Sequence, residues 1–403
     1  MRIAGLDVSR GKVSCCVLSE IPEDLKRYAQ KFKPHSFTAD QEGIEALLAL
    51  EFDGAVLEPT GHYSEIWAFH LEKAGRLVQW VGHWEVSAYR NSWRIANKSD
   101  KLDAIVLACY GVERWGRSQF FITPSQMKIR KLYLQLEHLN RAKNPVINRL
   151  RQELSHDFPE VATREVKRKW GEVNPPGLWR FLAGEIDTEK WRREWQRSIG
   201  IGIGQFTRQQ AILLCQLERN ELELESLIDV ELSKPEFAPY LDVFDRYMIG
   251  NRTGAALLST IYPIQQFLDE GKVRIDHCET GSGKRAGRNR SLAAFKLACG
   301  LGRVWIQSGS YEGWVAGGRA DVRMALWRWA SMAVVQNYAL MKRRDKEIPP
   351  KLQELRDYYD RGALVEEGGE ETTLAPGKGN QRLMRVVRRM LTSLFRDLVR
   401  ECK

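Results

Sequence analysis

The chain has 403 residues, of which 43% are hydrophobic and 28% charged, a balance that excludes a disordered or fibrous protein and allows two or three globular domains. Basic residues outnumber acidic ones by 62 to 52, and the resulting net charge of +10 favours a polyanionic partner, most simply nucleic acid. No apolar run is long enough to span a bilayer, and Asp7 and Arg10 interrupt any signal peptide. We therefore expect a cytoplasmic protein with no membrane partner.

The seven cysteines are odd in number, lie mostly in apolar surroundings and include no C-x-x-C pair. This pattern excludes a disulfide framework and argues against a zinc site. We predict reduced, buried thiols.

The first 120 residues alternate short apolar runs with amphipathic segments. An opening meander of strands, followed by alternating helices and strands, favours a ribonuclease-H-like α/β fold. In chain order the pattern predicts strands on both sides of the turn Ser9-Arg10-Gly11, a strand at 35–37, a helix at 41–50, a strand ending at Glu58, a helix at 63–74, a strand at 77–81 and a helix at 101–110.

Four acidic residues occupy positions in this pattern where they could converge. Asp7 and Glu58 each end an apolar strand, and Asp100 and Asp103 open a helix, where a spacing of three places them on one face. Carboxylates are the hard oxygen ligands that Mg²⁺ prefers, and Mg²⁺ is suited to phosphoryl transfer. The four residues therefore predict a metal site of the kind that nucleases and transposases use.

A structural interpretation of the same residues stays open. The chain has 52 acidic residues, and an aspartate at a helix start is usually an N-cap or a favourable partner of the helix dipole, which by itself could explain Asp100. Asp7 and Glu58 are harder to explain in this way, because a carboxylate that ends a buried strand is costly to desolvate unless it is paired or bound to metal.

Two long amphipathic helices are predicted at 125–158 and 207–233. In the second, Leu213, Leu217, Leu224 and Leu227 approach a heptad with charges between them, which predicts a coiled-coil hairpin or a dimer seam. The basic stretch 160–206 between the helices contains four tryptophans, which could either stack nucleic-acid bases or close a small helical core. These residues are Trp170, Trp179, Trp191 and Trp195.

From about residue 240 the pattern predicts a mainly helical region with glycine-rich interruptions. The turn at 249–254 leads into an apolar helix and could present backbone N–H groups to a phosphate. The basic stretch 281–290 lacks the residues of a Walker A loop, and we interpret it as a phosphate-contacting or disordered loop. A linker at 364–380 precedes a final amphipathic helix with outward arginines.

Three N-terminal motifs resemble the DEDD signature of bacterial transposases of the insertion sequence 110 family, which are relatives of the Piv invertase. The motifs are Gly5-Leu6-Asp7-Val8, Leu57-Glu58-Pro59-Thr60-Gly61-His62-Tyr63 and Lys98-Ser99-Asp100-Lys101-Leu102-Asp103-Ala104. The third differs conservatively from the usual Lys-Thr-Asp-x-x-Asp-Ala.

The C-terminal region resembles the same family independently. An apolar helix ending in Gly300-Leu301, a Ser-Gly turn and a helix at 318–327 follow in the family's order, and the family nucleophile maps onto Ser308. The segment at 249–253 resembles the family's hairpin, although Tyr247-Met248 replace its leading Pro-Gly. The Trp-rich stretch and the basic 281–290 stretch look like insertions.

The resemblance implies Mg²⁺-dependent DNA strand exchange through a serine–DNA intermediate. Asp7, Glu58, Asp100 and Asp103 would hold Mg²⁺, for which Mn²⁺ can substitute. It also implies donor and target DNA, a guide RNA encoded by the element, a homodimer or tetramer, and a nucleoid-associated bacterial protein. The residues that we expect to contact nucleic acid are Arg252, Lys284, Arg285, Arg288, Arg290, Arg319 and Arg323.

The predicted fold class is α/β plus all-α. The predicted parts are a RuvC-like DEDD domain at 1–122, a coiled-coil region with the Trp-rich insertion at 123–240, a serine transposase domain at 241–345, and a linker with a basic helix at 346–403. Two alternatives stay open: a DEDD endonuclease similar to Holliday-junction resolvases that does not use Ser308, and an inactive nucleic-acid-binding protein.

Overall fold

The structure is a computed structural model that describes residues 1–93, 99–117, 120–166, 168–279, 285–308, 311–364 and 378–402. The chain divides into an N-terminal unit, 1–124, and a C-terminal unit, 125–403. The N-terminal unit contains 15 basic and 16 acidic residues, and the C-terminal unit 47 and 36, so the positive charge belongs to the second unit. Over the described ranges, no helix has the length and apolarity needed to cross a membrane.

The N-terminal unit is a five-stranded sheet with helices, in the order β3-β2-β1-β4-β5. The first three strands form an antiparallel meander, and β4 and β5 are parallel to β1. The predicted α/β pattern is confirmed, while α1 and α4 were not predicted. The elements are β1 (Ile3–Ser9), β2 (Lys12–Leu18), α1 (Leu25–Lys31), β3 (His35–Thr38), α2 (Gln41–Leu48), β4 (Gly54–Leu57), α3 (His62–Lys73), β5 (Leu77–Trp80), α4 (His83–Ser92) and α5 (Asp100–Arg114).

Helix α5 lies directly against the centre of this sheet. Its residues from Asp103 to Gly111 are all buried. Two glycines permit the close approach, because a Cβ at Gly5 would lie 2.1 Å from the carbonyl oxygen of Ala104, and one at Gly111 would lie 2.6 Å from Cγ2 of Ile3. The contact therefore fixes where the first turn of α5 lies relative to β1.

The C-terminal unit is mainly helical, as predicted, but the described residues also form two antiparallel ribbons, β6–β7 and β8–β9. A π-helical segment, Ala330–Asn337, joins α14 to α15. The elements are α6 (Pro124–Asp157), α7 (Pro159–Ala162), α8 (Gly177–Leu182), α9 (Glu189–Gln196), α10 (Gln205–Leu232), α11 (Ala238–Asp245), α12 (Asn251–Ile261), β6 (Ile275–Glu279), β7 (Arg285–Asn289), α13 (Arg290–Ala298), β8 (Gly302–Ser308), β9 (Tyr311–Gly317), α14 (Ala320–Trp329), α15 (Tyr338–Arg343), α16 (Pro350–Leu364) and α17 (Lys378–Glu401).

The two ribbons correct the expectation of glycine-rich interruptions between helices. Residues 285–289 of the basic stretch are not a loop, because they pair in register with β6 from Ile275↔Asn289 to Glu279↔Arg285. Residues 302–308 pair with 311–317. The helical interpretation missed all four strands, and two of them, β7 and β8, contain glycine and arginine, which obscure the apolar alternation of a strand.

The tryptophans of the region 160–206 mostly close a small helical core. Trp179 and Trp191 are 2% and 8% exposed and pack among Leu150, Phe158 and other apolar side chains, and Trp195 packs against the same cluster. The packing therefore supports the second interpretation, in which the tryptophans close a helical core.

In α17, the apolar stripe is buried and the arginines predicted to face outward are exposed. The stripe is Leu383, Val387, Met390, Leu391, Leu394 and Leu398.

Helix α10 uses its heptad leucines only in part to pack within the chain, since Leu224 packs against the main core but others do not. Leu213 and Leu227 are 45% and 52% exposed. Its buried face instead carries glutamates among apolar residues, including Glu218, Glu221 and Glu225 at 2–4% exposure. The predicted coiled-coil hairpin is thus not what holds α10 against its neighbours in the chain.

An ion-pair network compensates the buried glutamates. Nε of Arg168 lies 3.1 Å from Glu218 Oε2, and its Nη1 donates to Glu225 at 2.7 Å. Nζ of Lys143 lies 2.8 Å from Glu218 and also contacts Glu221. Burial alone would lower the pKa of the Arg168 guanidinium, but its bonds to Glu225 and Glu218 raise that pKa above its ordinary value. The negative charge of the buried glutamates is therefore neutralised by basic side chains that each contact at least two of them.

The same network reaches α12, α14 and α6. Arg252 of α12 contacts Glu221 at 3.2 Å and Glu137 at 3.8 Å, and Arg328 of α14 contacts Glu137 at 3.2 Å. The carboxylates of α6 and α10 are thus shared with cations from the helices packed beside them.

Replacement of Arg168 by Met should lower the free energy of unfolding by about 3–5 kcal/mol, because Glu225 loses its ion pair and Glu218 keeps only that with Lys143. The variant's deficit should shrink in acid, because a protonated carboxyl is less costly to bury than a carboxylate. Denaturant unfolding followed by circular dichroism measures both effects. The matched control is Arg192→Met, which removes an exposed pair with Asp187 and should cost less than about 1 kcal/mol. Equal losses in the two variants would contradict the prediction.

Candidate active site

Asp7 and Glu58 lie side by side where the parallel pairing of β1 with β4 ends, although β1 itself continues to Ser9. Leu6 of β1 pairs with Leu57 of β4, and the two carboxylates follow directly. Adjacent strands lie about 4.8 Å apart, so this register brings the two backbones together at the carboxyl edge of the sheet. Asp7 and Glu58 are both partly buried. The structure therefore brings these two predicted site residues together.

Helix α5 supplies the other two carboxylates. Its first turn is held by Ser99, whose hydroxyl accepts the N–H of Leu102 at 3.3 Å, so Ser99 is the N-cap and Asp100 is not. Asp103 directly precedes Ala104, the residue that packs on Gly5, and its side chain is only 8% exposed. Asp100 is therefore not the N-cap, but it lies in the first turn of α5, where a carboxylate also interacts favourably with the helix dipole.

Basic side chains lie beside Glu58, Asp100 and Asp103. Glu58 lies 3.3 Å from Nδ1 of His83, Asp100 lies 3.2 Å from Nζ of Lys12, and Asp103 lies 2.7 Å from Nη1 of Arg90. Like charges that share a small region repel one another, and adjacent cations offset that repulsion. The Arg90–Asp103 pair is the most enclosed, because its side chains are 15% and 8% exposed.

The donor set is suited to a hard cation by its chemistry. Four carboxylates offer oxygen ligands of the type that Mg²⁺ takes. In the described part of the chain, however, no three His, Cys, Asp or Glu side chains are arranged closely enough to hold a metal ion as they stand. Binding would need the carboxylates to turn toward a common point, away from Lys12 or Arg90.

The thiols near the sheet take no part in such chemistry. Burial raises the pKa of Cys16 and of Cys109 to about 12, so both are protonated at neutral pH. The cysteines whose side chains the structure describes are all free, and all but Cys402 are buried, which confirms the prediction of reduced thiols for them.

Ser308 is the last residue of β8, where its Cα pairs with that of Tyr311. It belongs to the C-terminal unit, and the four carboxylates belong to the N-terminal unit. The remaining residues of the predicted Ser-Gly turn, Gly309 and Ser310, lie outside the described residues.

Three of the arginines expected to contact nucleic acid make internal contacts. Arg319 donates to Ser259 Oγ and Thr260 Oγ1 at 3.0 and 2.9 Å, and Arg323 donates to the carbonyl oxygen of Gly300 at 3.0 Å. Burial alone would raise the pKa of Asp321, but its bond to Arg319 lowers that pKa. Arg319 and Arg323 therefore hold the start of α14, and Arg252 belongs to the ion-pair network.

The basic ribbon β6–β7 carries the other candidates. Arg288 is exposed, and Arg290 is 46% exposed with its Nε 2.5 Å from Asp276. Arg285 opens β7, and Lys284 lies outside the described residues. Arg288 is thus the candidate with the most open position.

Residues 4–159 match the family model of the DEDD transposases of insertion sequence 110, described as Transposase. Over these 156 of the 403 residues, which include the four carboxylates, the chain is similar to the transposases of that family. This transposase is accordingly an enzyme that acts on DNA. A comparison with curated proteins finds no match.

Sequence reasoning missed the residues that organise the transposase's acidic site. Ser99 had a signal, since a serine just before the apolar-periodic residues of a helix is a common N-cap. Arg90, Lys12 and His83 had none, because each reaches its carboxylate through tertiary packing, over 13 to 88 positions of the chain.

Replacement of Arg90 by Gln should lower the free energy of unfolding by about 2–3 kcal/mol, because Asp103 is then a buried carboxylate without its cation. The double variant R90Q/D103N should lose less than the two single variants together, by at least about 1 kcal/mol. Urea unfolding of the four proteins of the cycle measures this coupling. Lys12→Gln is the control, since the pair with Asp100 is half-exposed and should contribute under about 1 kcal/mol. Strict additivity would refute the pairing.

Proposed function

We propose that this transposase is a Mg²⁺-dependent DNA recombinase that cleaves and rejoins strands through a covalent Ser308–DNA intermediate. The observation that carries the proposal is the pairing of β1 with β4, which places Asp7 and Glu58 at one strand edge, together with the α5 contact that places Asp103 near them. The choice of Ser308 as the nucleophile rests on the order of the C-terminal motifs along the chain.

A RuvC-like N-terminal domain is part of the proposal. Ribonuclease-H-like folds open with an antiparallel three-stranded meander and continue with parallel strands and helices. The order β3-β2-β1-β4-β5, with β4 and β5 parallel to β1, supports this assignment.

Asp7, Glu58, Asp100 and Asp103 would hold the metal, which when bound supplies positive charge against the phosphate. Arg90 and Lys12 lie beside these carboxylates and would add positive charge for a DNA backbone. Mn²⁺ has similar ligand preferences and can substitute.

The serine step conserves the phosphodiester energy. The Ser308 oxygen forms a bond to phosphorus and loses its proton to a base, while the bond from phosphorus to a sugar oxygen breaks and that oxygen takes up a proton. In the reverse direction a sugar hydroxyl attacks the phosphoserine, restores a DNA phosphodiester and releases Ser308. No nucleotide cofactor is consumed.

Self-association is proposed through the outward face of α10. Phe206, Leu213, Leu217, Leu224 and Leu227 follow a heptad spacing, and Leu213 and Leu227 are half-exposed. Asn220 falls at an inner position of the same heptad, where an asparagine favours a defined register between two helices. We propose a dimer, or a tetramer built from dimers, in which subunits share a site made of the acidic residues and Ser308.

Guide RNA, donor DNA and target DNA are the proposed nucleic-acid partners. The excess of 47 basic over 36 acidic residues in the C-terminal unit supports binding of polyanions. RNA guidance itself rests on the family resemblance.

Incubation of the transposase with element-end DNA, its flanking RNA and Mg²⁺ should give a protein–DNA adduct that resists SDS. Ser308→Ala should abolish the adduct, and Asp7→Asn should reduce its rate of formation at least about 100-fold while DNA binding persists. Gel electrophoresis with end-labelled DNA measures both outcomes.

The design separates the alternatives. Cleavage that survives Ser308→Ala but not Asp7→Asn would identify an endonuclease, and binding without cleavage by the intact protein would identify an inactive binder. Ser226→Ala, at an exposed position of α10, is the matched control and should leave the adduct unchanged.

Replacement of Leu213 and Leu227 by Lys should convert the protein from a dimer to a monomer, because charges on the seam repel across the interface. Light scattering coupled to size exclusion reports the mass. The control replaces Ile212 and Val230 by Lys. These residues are 49% and 64% exposed at other positions of the same helix, and the control should leave the dimer intact. Equal effects of the two pairs would exclude the seam.

A further inference from the structure

The ribbon β8–β9 displays two tryptophans to solvent. Trp305 and Trp314 are directly opposite each other in the register, with ring centroids 5.4 Å apart and an angle of 68° between the rings. They are 46% and 58% exposed. Among the tryptophans whose side chains the structure describes, no others are exposed to this degree. An indole pair left in water is costly, so it points to a partner.

The opposite face of the ribbon is already packed. Val304 precedes Trp305 and therefore faces the other side of the strand. A Cβ at Gly317 would lie 2.4 Å from Cγ2 of Val304 and 2.9 Å from Cδ1 of Leu297 in α13. The ribbon thus rests on α13 through its Val304 side at its base and presents the tryptophan pair on the side that α13 does not cover.

The surroundings of the pair favour a polyanion. Residues 270–330 contain 11 basic and five acidic residues. Arg303 lies two residues before Trp305, on the same side of β8, and is exposed. An aromatic pair beside an exposed arginine is the combination by which proteins stack unpaired bases while holding the backbone.

The position along β8 connects the pair with the proposed chemistry. Ser308 is three residues beyond Trp305 on the same strand, a separation of about 10 Å. This is on the order of two nucleotide steps along an unpaired strand. Ser308 is the last residue of β8, so a DNA strand that stacks on Trp305 and Trp314 and continues past the end of β8 would bring a phosphodiester near it.

We propose that Trp305 and Trp314 form a stacking platform for an unpaired base of the DNA strand that Ser308 attacks. This inference rests on the proposed function for the choice of DNA. The edge-to-face arrangement leaves ring faces open, and a base can stack on one of them. Bases in an intact duplex are already stacked on their neighbours, so the platform would select strands that are locally unpaired.

The test uses the full-length protein and a single-stranded DNA oligonucleotide that contains 2-aminopurine, whose fluorescence is quenched by stacking. The double variant W305A/W314A should bind the oligonucleotide at least about tenfold more weakly and lose the quenching. W305F/W314F should retain most of both, because phenylalanine keeps a ring face. Leu340→Ala, at another exposed apolar position, should behave as the unmodified protein.

Three results would overturn the proposal. One is wild-type affinity and quenching in W305A/W314A, and another is an equal loss of affinity for a fully paired duplex of the same sequence. The third is a loss confined to single-stranded RNA. Circular dichroism confirms that the variants are folded. W305F/W314F separates the loss of the aromatic rings from a general effect of substitution at these two positions. The readout is independent of the adduct assay, since Ser308→Ala should keep wild-type quenching even if the serine proves not to be the nucleophile.

Discussion

The acidic site depends on the contact between the backbone of α5 and that of β1. Only a residue without a side chain fits at Gly5, because the carbonyl oxygen of Ala104 occupies the position of its Cβ. This contact places Asp103 one residue from the packed position, near the end of the strand that carries Asp7. A larger residue at position 5 would push the helix off the sheet and separate the carboxylates, although none of them would itself have changed.

A second constraint organises the C-terminal unit. The leucine heptad predicts that α10 packs through an apolar face, but the face that is buried within the chain carries carboxylates. The basic side chains of Arg168, Lys143 and Arg252 compensate their charge. Burying such pairs gains little stability over an apolar core, but breaking one is costly. The arrangement fixes which helices pack against α10. Leu213 and Leu227, on its other face, stay exposed.

The two units divide the properties that the proposed reaction needs. The N-terminal unit is nearly neutral in charge and contains the four acidic side chains of the site. Basic side chains lie beside several of these carboxylates, for example Arg90 beside Asp103. The C-terminal unit holds the positive excess, Ser308 and the exposed indoles of Trp305 and Trp314. A carboxylate cluster would repel DNA by itself, so strand binding and phosphate chemistry are reasonably assigned to surfaces of opposite charge.

The sequence by itself determined the α/β order of the first unit, the long helices, the buried stripe of α17 and the placement of Asp7 and Glu58 at strand ends, since these follow from local apolar periodicity. Tertiary structure decided the rest. Whether Leu213 or Glu218 faces the core, whether Trp179 packs inside while Trp314 stays exposed, and which cation reaches Asp103 depend on contacts between distant segments. Periodicity reports that a helix or strand has an apolar face, but it contains no information about what covers that face.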